Sequence, residues 1–415
     1  MPVAEDLLPA PRLRRIRLRD ALGAGANAHE MRLLASARPA LPLLMWWGQR
    51  ANPLGKIPGL GWVTSDPRTA RTLLNDRRLT VLGEGGVGHL WSQILGDWVL
   101  DLFDGAGHHD LRTRSRDLFT ERASDDFVEW AWGDTLDIAR TQLDQGAEVD
   151  IADLARVLVG RMVVTLLGLP VDSTRGDDAY REVFTTGEEL ARIALGTTAN
   201  THLPPDAIAR AREIVERLTG HIDGLFNDPA PPDASTVIGR CRSLDLTLEQ
   251  TKGLCTLLMV AGTETAASAM GRTAALLFDS GEQRRLLADS ARLPDAVREG
   301  LRVTSPAPLI GRSVSEDFDL AGHNLRSGDR VMVLVWTADN VAGEFRIDRP
   351  YSPQHRQLWF GAGRHLCLGA PLARAELTAI IELLLGGGRP FTVVSRRYAR
   401  RTLIPSYASL VVKRA

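Results

Sequence analysis

FGAGRHLCLG, Phe360 to Gly369, puts three glycines, a histidine and a lone cysteine into ten consecutive positions. Gly361 and Gly363 permit positive φ or close backbone approach, and Gly369 stands where a helix begins. That helix, APLARAELTAIIELLLG, has Pro371 in its first turn and ends in glycines, as helix start and stop signals require. Cys367 therefore sits at a helix N-terminus. The helix dipole and unpaired backbone N–H groups there favour an anionic sulfur, so this cysteine is expected to ionise more readily than a buried structural one. An isolated cysteine is more often a plain buried thiol; these surroundings argue the other way.

The chain around the loop has 415 residues and 44% hydrophobic content, enough for a large core. Lys+Arg at 50 nearly cancels Asp+Glu at 51, so no overall field draws the protein to nucleic acid or to an anionic membrane. Cys241, Cys255 and Cys367 are too few and too scattered for a disulfide framework or a paired-cysteine zinc site. The N-terminus, MPVAEDLLPAPRLRRIRLRD, is charged throughout and lacks the apolar run of a signal peptide or anchor. A soluble, cytoplasmic protein is expected. Helical patterns dominate, as in ARVLVGRMVVTLLG, Ala155 to Gly168, which closes with a glycine and then Pro170. Strand patterns are few: GWVTS near Val63, DRVMVLVW near Val333, PFTVV near Val393 and ASLVV near Val411. NDPAPPDAST, Asn227 to Thr236, reads as a surface loop between helices.

FGAGRHLCLG resembles the haem-binding loop of cytochromes P450, Phe-Gly-x-Gly-x-His-x-Cys-x-Gly. All six fixed positions match, at Phe360, Gly361, Gly363, His365, Cys367 and Gly369. The resemblance implies a mainly α P450 fold, a large helical domain with small β-sheets packed around a buried haem b (iron protoporphyrin IX). Cys367 would be its axial thiolate, a ligand that donates electron density to the iron and favours O–O cleavage. Loop amides would hydrogen-bond the sulfur and tune the iron. The whole chain, 1–415, is expected to form one P450 domain, with residues 1–60 leading into it.

Other segments follow in the family's order. QTKGLCTLLMVAGTETAASAMGRTAALLF, Gln250 to Phe278, reads as a helix of about 45 Å, apolar on nearly every side. Glu264 and Arg272 argue against a membrane span. At its centre AGTET, Ala261 to Thr265, combines a mid-helix glycine with hydroxyls that compete for backbone carbonyls, so a kink is expected. The stretch resembles the family's oxygen-binding motif: small residues at Ala261 and Gly262 leave room above the haem, and Glu264 with Thr265 form the acid–alcohol pair that delivers protons during oxygen activation. A carboxylate and a hydroxyl suit that task.

REGLRVTSPAP places Glu299 and Arg302 three apart on one helix face, as in the family's Glu-x-x-Arg helix. Arg312 stands where the family's guanidinium holds a haem propionate. In GHHDLRTRSRDLFTERA, His108 and Arg112 match the family's His-x-x-x-Arg helix and would face a propionate together with His365. His109 competes with His108 for that place. Between Thr337 and Arg356 the chain departs from the family, lacking the Ala-Asn-x-Asp core and carrying Glu344 before Phe345, where an arginine completes a Glu-Arg-Arg network. Arg346 and Arg349 are the candidate substitutes.

No dinucleotide fingerprint, P-loop or fused redox module is present, so electrons are expected from a separate ferredoxin and ferredoxin reductase. Arg112, Arg114, Arg116, Arg364 and Arg374 are candidates for a basic patch that would steer an acidic partner. The substrate is expected to be a small organic molecule of mixed polarity, such as a natural product. Its candidate contacts are Trp91, Trp98, Leu257, Leu258, Leu309 and Ile310, with the stretch Phe184 to Pro205 also contributing. Two function classes stand. One is a monomeric monooxygenase that uses O2 to hydroxylate, epoxidise or couple its substrate. The other is a P450-fold accessory protein or haem-thiolate binder without turnover, favoured only by the shortened segment before Arg356.

Overall fold

A computed structural model describes Gly23 and residues 25–415, apart from 51–52, 196–200, 232, 234 and 352–357. The expected surface loop at Asn227 to Thr236, the stretch Phe184 to Pro205 and the segment before Arg356 therefore lie in part outside the described residues, and the N-terminal twenty residues lie wholly outside them. Helices dominate, and the long one expected around Ala261 runs from Leu248 to Asp279. It starts at a capping box: the Thr247 hydroxyl accepts from the Gln250 N–H while the Gln250 side chain accepts from the Thr247 N–H. Length and composition would let it cross a membrane, but 67% of its most apolar window is buried inside the molecule, which marks a core helix.

Four helices surround it: Ile151–Leu167, Asp177–Leu195, Leu293–Thr304 and Ala370–Leu385. The first is capped by Asp150, whose carboxylate accepts from the N–H groups of Ala152 and Asp153, and ends at Gly168 with φ 58°, the left-handed conformation glycine adopts without strain. Gly187 allows Asp177–Leu195 to approach closely, since a Cβ there would come within 2.8 Å of the Thr263 hydroxyl on the long helix. One apolar cluster, running from Ala26 to Val412, joins these helices.

The strands among the described residues are β1 Gly55–Ile57, β2 Gly61–Thr64, β3 Leu79–Thr80, β4 Val149–Asp150, β5 Ile310–Val314, β6 Phe318–Leu320, β7 His323–Leu325, β8 Arg330–Val333, β9 Phe391–Tyr398 and β10 Tyr407–Arg414. They form a five-stranded sheet ordered β1-β2-β8-β5-β3, a three-stranded sheet β4-β10-β9 and a two-stranded one. The four expected strands are there, although DRVMVLVW turns helical from Val335. In the larger sheet β5 pairs antiparallel with β8, Arg312 opposite Val331, which fixes the face on which Arg312 emerges.

The long helix is continuous through Ala261–Thr265, and the hydroxyls of Thr263 and Thr265 bond back to the carbonyls of Met259 and Ala261.

Candidate functional site

The cysteine loop is held by its own backbone. Gly361 has φ 73° and Gly363 φ 69°, and a Cβ at Gly363 would lie 2.4 Å from the Leu74 carbonyl oxygen, so only glycine fits there. The Cys367 N–H donates to the Phe360 carbonyl at 3.0 Å, and Gly369, N-cap of the helix Ala370–Leu385, donates its N–H to the sulfur. The sulfur opens on a cavity of about 910 Å³ walled in part by His108, Arg112, Phe360 and Arg374.

Burial raises all three thiols, Cys241 to about 12 and Cys255 well above its ordinary value, with neither receiving a backbone N–H among the described residues as Cys367 does. Cys367 is open to the cavity yet deep in the molecule, and burial raises its pKa; the Gly369 N–H and the guanidinium groups of Arg112 and Arg374 offset this only in part. A cation binding at the sulfur, rather than the helix terminus alone, is what would hold it as an anion.

Beside the loop lie two histidines and two arginines. His108, not the exposed His109, is buried, its ring centroid 5.0 Å from that of His365, and its Nε2 has no hydrogen-bond partner. Arg112 is buried with no carboxylate bonded to it among the described residues; burial lowers its pKa and Cys367 raises it. Arg312 is pushed down to about 10 by burial and, among the described residues, donates to the neighbouring Gly311 carbonyl. His365 donates from Nε2 to Asp104 Oδ1 at 2.8 Å.

Asp104 was missed by sequence reasoning. It ends the short helix Leu100–Phe103, four residues before His108, and nothing in its neighbours in the chain signals that it meets residues 364 and 365. Burial alone would raise its carboxyl, but hydrogen bonds from His365, Arg364 and the Val81 N–H outweigh that and hold it well below the usual range.

On the long helix, Ala261 and Gly262 are exposed in the middle of an otherwise buried element, and a Cβ at Gly262 would meet nothing within 4 Å. Glu264 is buried and accepts from the Ile404 N–H at 3.2 Å. Burial, with the negative charge of Glu188 nearby, pushes it up to about 7. Thr265 donates to the Ala261 carbonyl at 2.5 Å.

Glu299 and Arg302 form the expected buried pair, with two contacts at 2.8 Å. Arg349 takes the third place, its Nε donating to Glu299 Oε2 at 3.2 Å. Arg346 instead pairs through its side chain with Asp348 and reaches Glu299 only through its backbone N–H. The backbone carbonyls of Asp339, Gly343 and Glu344 accept from Arg302. Asp339 is buried, accepts from the Ser305 hydroxyl and is pushed up to about 8 by burial.

Other expected groupings do not assemble. Trp91, Trp98, Leu257 and Leu258 share the main core, with Trp98 packed over Gly253 of the long helix. Leu309 packs with Met45 and Trp336, and Ile310 against Val333 and Leu358, apart from the cluster that holds the other four. The basic patch is largely neutralised: Arg114 pairs with Asp110, Arg116 with Asp117, Arg364 with Asp104 and Arg374 with Glu121.

These residues fit a haem. One deep thiol receives a backbone N–H, an orphaned His108 nitrogen and the buried Arg112 and Arg312 suit two carboxylates, and the exposed Ala261–Gly262 step leaves space beside the long helix.

A family model described as cytochrome P450 matches residues 286–389. Similarity extends to the biotin biosynthesis cytochrome P450 of Bacillus subtilis (strain 168), 26% identical over 345 residues that cover 78% of this chain and 82% of that one. It extends also to 20-oxo-5-O-mycaminosyltylactone 23-monooxygenase of Streptomyces fradiae, 28% identical over 246 residues, 58% of this chain and 56% of that one. Among solved structures, P450BioI in complex with hexadec-9Z-enoic acid ligated acyl carrier protein superposes with a TM-score of 0.74 at 23% identity, covering 92% of this chain and 99% of that one.

Proposed function

We propose, for a chain that belongs to the cytochrome P450 family and is one of its monooxygenases, that it binds haem b through Cys367 and oxidises a moderately sized organic natural product. In this reading it hydroxylates, epoxidises or couples that substrate as a single-domain monomer in the cytoplasm, with electrons from a ferredoxin and its reductase. Haem, when bound, supplies dioxygen activation with the thiolate as electron donor. His108, Arg112, Arg312 and His365 would hold the haem carboxylates. Glu264 would give its carboxyl proton to the Thr265 oxygen as Thr265 releases its own hydroxyl proton toward the haem side, after which the hydroxyl returns to its bond with the Ala261 carbonyl. A Glu264 pKa of about 7 suits this, because both protonation states are populated near neutral pH.

The observation that carries the reading is Cys367: a deep thiol, bonded by the Gly369 N–H, opening on a cavity beside Arg112. The names of the Bacillus and Streptomyces relatives support a biosynthetic substrate. The arginine pairing above leaves a docking face with little net charge, so a ferredoxin would bind with a shallow salt dependence. The test is the ferrous–carbon monoxide spectrum of the purified protein, followed by a spectral-shift screen of candidate substrates. A thiolate-type band that disappears in Cys367→Ala supports the reading; purified protein without haem, or with a ligand other than sulfur, overturns it.

A further inference from the structure

We propose that Asp104 is a positioning residue of the cofactor site: its carboxylate orients His365 and Arg364 on the cysteine loop and places a negative charge among the cations that would hold the haem carboxylates. The inference rests on the haem-thiolate reading above and concerns a residue that reading does not use.

Four donors converge on this carboxylate. Oδ1 accepts from Arg364 Nε at 2.6 Å and from His365 Nε2 at 2.8 Å; Oδ2 accepts from the Thr80 hydroxyl and the Val81 N–H, both at 2.8 Å. The two oxygens are used on opposite sides, so the group cannot turn without losing two bonds. Its side chain is only 5% exposed, a depth at which each bond to a charged group counts for more than at the surface. It ties together three segments: the strand at Thr80, the end of the helix Leu100–Phe103 and the cysteine loop. Arg364 extends the tie by donating to the Leu79 carbonyl at 2.7 Å.

The bond also decides the chemistry of His365. An ionised carboxylate only accepts, so Nε2 of His365 must carry a hydrogen, and the ring is turned so that Nδ1 faces away from Asp104. The His108 ring lies tilted at 40° against the same ring, centroids 5.0 Å apart, so a change in its orientation is felt by both histidines. Asp104 and Arg312 also attract one another.

Asparagine has the same shape but cannot satisfy both sides, because its amide nitrogen would face either Arg364 and His365 or the Val81 N–H, donor against donor. The experiment uses the haem-loaded protein and compares wild type with Asp104→Asn and Asp104→Glu by two readouts, the rate of haem transfer to apomyoglobin and the ferric–ferrous midpoint potential. Asp104→Asn is expected to release haem about tenfold faster, the usual size of such supporting contacts, with a more positive potential because a negative charge near the iron is gone. Asp104→Glu, which keeps the charge, is expected to hold the wild-type potential. If Asp104→Asn does not fold by circular dichroism, Arg364→Gln, which removes a partner of the carboxylate outside the set that would hold the haem carboxylates, replaces it and should also release haem faster. Wild-type release and potential in the folded variant overturn the proposal while leaving the haem reading intact; a wild-type protein that binds no haem overturns the reading itself.

Discussion

Arg349 Nε lies 3.2 Å from Glu299 Oε2, on the carboxylate already gripped by Arg302. The pairing supplies the third member of a Glu-Arg-Arg network in a segment that departs from the family pattern.

Removing Arg349 leaves Glu299, 1% exposed, with one guanidinium instead of two. Arg349→Ala should destabilise the folded protein by about 1–3 kcal/mol, the cost of a lost hydrogen bond to a buried charge. Arg346→Ala, whose side chain pairs with Asp348 at the surface, should leave the urea midpoint unchanged. Equal midpoints for the two variants would assign the third position wrongly.

Burial, and then the negative charge of Glu188, push the Glu264 carboxyl up to about 7. Between the unfolded carboxyl value and that point the folded chain keeps a proton the unfolded chain has lost, so this group favours the fold at low pH and loses that contribution as pH rises toward 7. The coupling of electron use to product should fall above pH 7 with a midpoint that Glu264→Gln abolishes and Glu188→Gln moves lower. Thr265→Ala should retain haem and divert electrons to hydrogen peroxide. Intact coupling in Thr265→Ala would refute the relay.

Arg272 and Glu30 are both buried and bonded, Nε of Arg272 at 3.2 Å from each carboxylate oxygen, and they fasten the helix Ala26–Ala37 to the long helix. Breaking such a pair strands a charge: Arg272→Met should cost about 3–5 kcal/mol, with much of the loss recovered in the double variant Arg272→Met with Glu30→Leu. Chemical denaturation of the three proteins measures this, and additive losses would contradict it.

Gly363→Ala puts a methyl against the Leu74 carbonyl at a residue with φ 69°. The strain, of order 1–3 kcal/mol, falls on the loop that carries Cys367, so haem content after purification should drop more than helix content by circular dichroism. Full haem occupancy would show that the loop tolerates a side chain there.

Much was legible because its signals are contiguous. The loop Phe360–Gly369, the helix behind it, the long apolar helix and the choice of His108 over His109 rest on spacing within a few residues, where backbone geometry relates sequence directly to position. What failed or stayed open depends on residues far apart in sequence. Asp104 meets His365 across 261 positions, and nothing local marks either as the other's partner. Arg346 and Arg349 both lie near Glu299, and only the path of the chain decides which guanidinium arrives. Four of the five arginines expected to form a basic patch, all but Arg112, have carboxylates beside them, one from another helix.

By itself the amino-acid order determined the thiol loop at a helix start, the carboxyl–hydroxyl step on a core helix and the mainly helical class, since each follows from local backbone preference and apolar periodicity. Tertiary packing alone decided how deeply Cys367 lies and hence that its thiol is raised, which carboxylate holds His365, and which arginine completes the network around Glu299. Burial and hydrogen-bond partnership are properties of the folded neighbourhood, set by segments that the chain brings together only when its core closes.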